Sequence, residues 1–185
     1  MKVAVLDHGM GNLRSVAKAL EAAGATVTVT ANPSDIASND ALCVPGQGIF
    51  GRCVENLADS GNGDLIADWI AADRPFLGIC LGMQILFDRS DENDAKGLGL
   101  FPGEVRRLPS ILTVPHIGWN EVGDTHYYFD HSYAVHPADE AIVVGWCEHG
   151  ERFAAAVRSR SVFAVQFHPE KSGAAGIDLL KGWVR

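Results

Sequence analysis

Residues 3–6 form a short apolar run that ends at Asp7-His8-Gly9, and Leu13, Val16, Ala17 and Leu20 then recur at helical spacing until Gly24. That pattern predicts strand, turn and helix. Residues 25–30 alternate β-branched side chains as a second strand, and residues 41–44 form a third that stops at Pro45-Gly46. Helical spacing returns at Cys53, Val54 and Leu57, and again at Leu65, Ile66, Trp69 and Ile70. Phe76-Leu77-Gly78-Ile79 reads as a fourth strand, closed by Cys80 and followed by Leu81, Ile85 and Leu86 of another helix. Alternating strands and helices predict an α/β fold: an open, mostly parallel, doubly wound (flavodoxin-like) sheet covered on both faces.

The second half has a different rhythm. Residues 105–108, 127–129, 132–135, 141–147, 153–158 and 162–167 are short strand-like runs between turns, which predict an antiparallel extension of the sheet. A last helix from about Ser172 carries Ile177, Leu180 and Val184 on one face. Residues 90–96 read as a polar, acidic loop, and no linker, repeat or low-complexity tract interrupts the chain. A single domain over residues 1–185 is expected, long enough for one substantial core.

Charge and composition narrow the function. The net charge of −8, with no basic cluster interleaved with aromatics, argues against nucleic acid as a partner. The apolar run before Asp7 is too short for a signal peptide, and no stretch approaches the roughly 18 apolar residues of a membrane span, so a cytoplasmic protein without membrane contact is expected. The four cysteines, Cys43, Cys53, Cys80 and Cys147, include no Cys-x-x-Cys pair, so neither a zinc site nor redox chemistry is indicated, and free thiols are expected. Cys43 and Cys147 sit within apolar runs and read as small buried hydrophobes.

Cys80 is different. Gly78-Ile79-Cys80-Leu81-Gly82 puts it at a strand-to-helix junction with glycine two residues before and two after, the nucleophile-elbow pattern with Cys for Ser. Such a turn strains the nucleophile's backbone, needs glycine where chains pass closely, and aims the thiol at helix N–H groups that favour a thiolate. Alone, the pentapeptide is equally compatible with a small buried residue between packing glycines. A base must activate the thiol, and among 7 histidines His168 stands out, because His168-Pro169-Glu170 follows the strand of residues 163–167. A period of two points His168 and Glu170 to one side, where the carboxylate orients the imidazole. His8 and His131 are candidate neighbours of the site, whereas His116, His126, His136 and His149 read as surface or packing residues. Pro45-Gly46-Gln47-Gly48, at another strand end, offers backbone amides that can hold an oxyanion with the N–H of Leu81. All three elements fall on one edge of the predicted sheet.

These residues resemble the class I glutamine amidotransferases, whose Cys-His-Glu triad uses an elbow like GICLGMQ at 78–84 and a strand end like FHPE at 167–170. Within that class the segments DHGMGNLRSV at 7–16, PHIGWN at 115–120 and HSY at 131–133 look like those of glutaminase subunits of imidazole glycerol phosphate synthases. The resemblance implies catalytic Cys80, His168 and Glu170, an oxyanion hole at Gln47, Gly48 and Leu81, and L-glutamine held by Gly48, Gln84, Ser132 and Tyr133. It implies no cofactor and no metal. It also implies a heterodimer with a barrel-shaped cyclase subunit that receives ammonia and forms imidazole glycerol phosphate and AICAR in histidine biosynthesis, with Gly11, Asn12 and Trp119 towards that partner. Against the family's pattern, His8 replaces a frequent Tyr, Gln47 stands where Val is common and Asp130 where an apolar residue is usual.

Other readings compete. Gly9-Met10-Gly11 invites a dinucleotide site, but it lacks the third Gly and the acidic residue about 20 positions on. A different class I glutaminase, a stand-alone γ-glutamyl amide hydrolase and an inactive regulatory subunit are separated by ammonia release from glutamine and by the segments at 10–16 and 115–120.

Overall fold

A computed structural model describes all residues 1–185. The strands are β1 (Lys2–Leu6), β2 (Thr26–Thr30), β3 (Ala41–Gly46), β4 (Phe76–Cys80), β5 (Phe87–Ser90), β6 (Ala95–Lys96), β7 (Phe101–Arg107), β8 (His116–Val122), β9 (Thr125–His131), β10 (Tyr133–Pro137), β11 (Val143–Glu148), β12 (Arg152–Ser159) and β13 (Val162–Val165). The α-helices are α1 (Leu13–Ala22), α2 (Pro33–Ala37), α3 (Phe50–Asp59), α4 (Asn62–Ala71), α5 (Leu81–Gln84) and α6 (Gly173–Val184). Eleven strands form one sheet in the order β2-β1-β3-β4-β13-β12-β10-β7-β5-β6, with β11 added on β12, and β8–β9 form a separate hairpin. From β2 to β13 all neighbours are parallel, and the pairing turns antiparallel at β12. The predicted doubly wound sheet and its antiparallel extension are both present.

Alternation along the parallel strands sorts side chains between two cores. Val3, Val5, Ala41, Cys43, Leu77 and Ile79 face one layer, with Leu20 of α1 and Leu180 of α6. Ala4, Leu6, Leu42, Val44 and Phe76 face the other, with Ile36 of α2, Phe50 and Leu57 of α3, and Ile66 of α4. Strands buried on both faces carry no polar alternation, which is why they read as apolar runs.

Four expectations need correcting. The helix predicted through Leu86 is a single turn, α5, because Phe87 already starts β5 beside β7. The loop expected at 90–96 is a turn between β5 and β6, from which Glu92 accepts a hydrogen bond from the Phe50 N–H at 2.7 Å, capping α3 where Ile49 offers no side-chain cap. The strand drawn to Phe167 ends at Val165, and Pro169 opens a 3₁₀ turn, Pro169–Lys171, so Glu170 is not on a strand. Proline's fixed φ suits a first helical position and ends extension there. The strand expected over 141–147 opens instead as a 3₁₀ turn, Glu140–Ile142, whose start Asp139 caps through the N–H of Ala141.

The parallel strands end on one edge, and close packing there depends on glycine. A Cβ on Gly82 would run into the Val44 carbonyl, and one on Gly78 would sit 2.6 Å from the Gly82 carbonyl oxygen. Gly46 pairs with Cys80, and its own Cβ would meet that of Leu81 at 2.7 Å. These positions need clearance; the unusual dihedral falls on Cys80 itself. Gly82→Ala is therefore expected to destabilise the protein by about 3 kcal/mol as backbone is forced apart, despite alanine's better helix propensity. A thermal melt reads this as a fall of roughly 6–12 °C, and an unchanged melt would refute the clearance argument.

Candidate active site

Cys80 closes β4 with φ 54° and ψ −108°, a backbone rare for a residue with a side chain, and it is 6% exposed. Backbone strain of this kind persists where the surroundings enforce it, here three glycine contacts and paired strands on either side. Cys80 lines a cavity of about 430 Å³ together with Gln47, Gly48, Leu81, Gln84, His131, Ser132 and Tyr133. Gly48 takes φ 118°, so glycine alone is at ease there.

His168 follows β13, the strand beside β4. Its Nδ1 donates to Glu170 Oε1 at 2.8 Å, with the two side chains only 1% and 3% exposed. The pair is made by the 3₁₀ turn rather than by strand periodicity. The backbone is braced as well: His168 N–H donates to the Tyr128 carbonyl at 2.8 Å, and Ser172 Oγ donates to the His168 carbonyl at 2.6 Å. His168 Nε2 and Glu170 Oε2 are buried without a protein hydrogen bond. Burial disfavours the imidazolium, but the nearby Cys80 sulfur and the Glu170 carboxylate outweigh it, and the pKa of His168 is raised. Although Cys80 lies close enough to act on that charge, the contact does not reach hydrogen-bond geometry; the sulfur's hydrogen bond comes from Gln166 Nε2 at 3.6 Å.

The remaining candidates separate clearly. Gln84 is buried, and its Nε2 donates to the Tyr133 carbonyl at 2.9 Å and to Gln166 Oε1 at 3.0 Å. His131 lines the cavity and donates from Nδ1 to the same Tyr133 carbonyl at 2.8 Å. Its Nε2 accepts from His116 Nδ1 at 3.0 Å, and His116 Nε2 accepts from Asn120 at 3.1 Å. Burial depresses both rings, His131 to about 3 and His116 to about 4, which suits this neutral chain. His8 lies outside the cavity lining and hydrogen-bonds the Pro45 carbonyl at 2.6 Å beneath the 46–48 loop. Of the residues assigned to docking, Gly11 and Asn12 are exposed at the start of α1, where Asn12 caps the helix, and Trp119 is 57% exposed on the β8–β9 hairpin. Gln166, and Glu92 at the cavity's edge, were not singled out by sequence. Gln166 precedes His168 by two residues at the end of an apolar run, and a lone amide there was the available signal.

A cysteine on a strand-to-helix elbow, beside a histidine–carboxylate pair delivered by the adjoining strand, is the equipment of thiol-dependent acyl transfer. Residues 4–183 match the family model described as "Glutamine amidotransferase class-I". The chain is 46% identical to "Imidazole glycerol phosphate synthase subunit HisH" of Dechloromonas aromatica (strain RCB), covering 98% of this chain and 95% of that one. It is 43% identical to "Imidazole glycerol phosphate synthase hisHF, chloroplastic" of Arabidopsis thaliana, covering 97% of this chain and 33% of that one. A solved structure, "Crystal structure of glutamine amidotransferase", superposes with a TM-score of 0.77 at 21% identity, covering 97% of this chain and 98% of that one, a likeness of fold. The chain belongs to the class-I glutamine amidotransferases and, within them, to the family of imidazole glycerol phosphate synthase HisH subunits. No helix is long and apolar enough to cross a membrane.

Proposed function

We propose that this chain is the glutaminase subunit of an imidazole glycerol phosphate synthase, acting as one domain with Cys80, His168 and Glu170 as its catalytic triad. The observation that carries this reading is the buried 2.8 Å His168–Glu170 pair set beside the only cysteine that opens onto the cavity. The Cys80 sulfur attacks the side-chain amide carbon of L-glutamine, and the carbonyl electrons move onto oxygen. As the C–N bond breaks, His168 gives its proton to nitrogen and ammonia leaves a glutamyl thioester. Water then adds with His168 as base, the C–S bond breaks, and glutamate departs with the thiol restored. Glu170 keeps Nδ1 as the donor side of the ring, so that Nε2 handles the proton.

The oxyanion is received by backbone N–H groups of Leu81 and of the 46–48 loop at Gln47 and Gly48, residues that line the cavity. Gly48, Gln84, Ser132 and Tyr133 bound the space for glutamine. With both Nε2 hydrogens of Gln84 committed to Tyr133 and Gln166, Gln84 presents oxygen rather than nitrogen to a ligand.

Ammonia passes to a barrel-shaped cyclase subunit, which forms imidazole glycerol phosphate and AICAR in histidine biosynthesis. The plant relative named for the synthase aligns over only a third of its length, which supports a companion component beyond the glutaminase. Exposed Ile117 and Trp119 on the hairpin, with Gly11 and Asn12, supply the docking face. The work is cytoplasmic, and four free cysteines fit a reducing compartment. Mixing the protein with the cyclase subunit and its ribonucleotide ligand is expected to raise glutamine turnover by at least about tenfold, of the order of an allosteric coupling. Turnover unaffected by the mixture would point to an independent glutaminase.

A further inference from the structure

Gln166 is completely buried, just past the end of β13, and its Nε2 supplies the hydrogen bond that the Cys80 sulfur receives. The direction of this amide is dictated by its neighbours. The Tyr133 carbonyl can only accept, so Gln84 must turn its nitrogen towards it at 2.9 Å. The second hydrogen of that nitrogen goes to Gln166 Oε1 at 3.0 Å. With its oxygen held there, Gln166 has only its NH₂ end left for the sulfur, 3.6 Å away. His131, donating to the same carbonyl, fixes the start of the chain.

We infer that Gln166 is a further catalytic group, an amide donor that touches the attacking sulfur, aims it and stabilises its thiolate form, with Gln84 as the positioning residue that sets the donor's direction. This rests on Cys80 being the nucleophile. The chemistry suits the place. An N–H bond to an anion in a water-poor site is stronger than one to a neutral group. An amide also holds the charge without competing with His168 for the proton that ammonia must carry away. Gln84 thereby acquires a task inside the protein, apart from any contact with substrate. A purely packing role for the Gln84–Gln166 pair makes a different prediction, because a buried amide that only fills space would change stability and leave the sulfur's reactivity alone.

The test is site-resolved alkylation of Cys80 by iodoacetamide across pH, read by mass spectrometry, together with kcat and KM for glutamine in the complex with the cyclase subunit. Cys43, Cys53 and Cys147 are buried away from the cavity, so their peptides serve as internal controls. Gln166→Met keeps the length and removes the donor; Gln166→Glu keeps the shape and an acceptor for Gln84 but sets a carboxylate against the sulfur. Both leave His168, Glu170, Glu92, Asp130, His131 and Tyr133, the other titratable groups around the cavity, in place. Gln166→Met is expected to slow Cys80 alkylation at neutral pH about tenfold, to raise its midpoint by about one pH unit, and to lower kcat about 10- to 100-fold with little change in KM. Gln166→Glu is expected to move the midpoint further in the same direction. A parental alkylation profile and kcat in either folded variant, with only a lowered melting temperature, would overturn the inference. If Cys80→Ser has lost activity at the same time, the nucleophile assignment survives that result; retained activity in Cys80→Ser would overturn the assignment itself.

Discussion

Replacing Cys80 by Ala is expected to reduce ammonia release from glutamine by at least about four orders of magnitude while leaving the fold and the association with the cyclase subunit intact. No other thiol can take over the covalent step, because Cys80 is the sole cysteine on the cavity. Cys80→Ser is expected to be as inactive, since a hydroxyl in the same place does not ionise near neutral pH and the site is arranged for sulfur. The other thiols provide the contrast. Burial pushes those of Cys53 and Cys147 up to about 12 and also raises that of Cys43, so they are inert packing groups. Cys43→Ala and Cys147→Ala are expected to cost about 1 kcal/mol of stability and to leave turnover per folded molecule unchanged. Equal losses from all these substitutions would indicate unfolding, and parental ammonia release by Cys80→Ala would rule out the thioester route.

His168→Ala is expected to slow hydrolysis about a thousandfold or more, because it removes the group proposed to handle the proton in both half-reactions. A subtler expectation concerns pH. Burial lowers the imidazole's pKa, whereas Cys80 and Glu170 raise it, and the raising influences win. Activity that depends on the imidazolium is then lost only as pH climbs above the ordinary histidine range. Glu170→Gln keeps a hydrogen-bond acceptor but removes the charge, so the alkaline limb of kcat/KM is expected to move to lower pH. The stability contribution has the same sign: it is complete below the unfolded imidazole's pKa and fades as pH rises through the raised folded value. Superimposable pH profiles for the parent and Glu170→Gln would show that the 2.8 Å contact does not tune His168.

Much of this was legible in the chain, and the exceptions have physical causes. The parallel strands read clearly because burial on both faces makes them apolar runs, and the elbow became readable only once the glycines at 78 and 82 were set beside the His168-Pro169-Glu170 strand end. The β8 strand escaped notice, since its hairpin lies off the main sheet and its large apolar residues, Ile117 and Trp119, are exposed rather than buried. Helix α2 is too short for a period to emerge. At the site, the pairing of His168 with Glu170 was anticipated while its cause was not, because local turn geometry and strand periodicity both bring residues i and i+2 together. Gln166 was invisible for a plainer reason: its importance lies in the direction of an amide, and direction comes from partners distant in sequence, Gln84 and Tyr133.

The strand order has a consequence for synthesis. Cys80 lies in the first half of the chain, whereas β13, which delivers Gln166 and His168 alongside it, is among the last segments to be made. While the chain is still emerging, β4 has β3 on one side and no neighbour on the other, and the thiol has neither His168 nor Gln166 beside it. Domains fold as units once enough chain is available. On the proposed assignment of Cys80, His168 and Gln166, the nascent subunit therefore carries an unarmed cysteine through translation, and glutamine meets a competent active site only after β13 has slotted into the sheet.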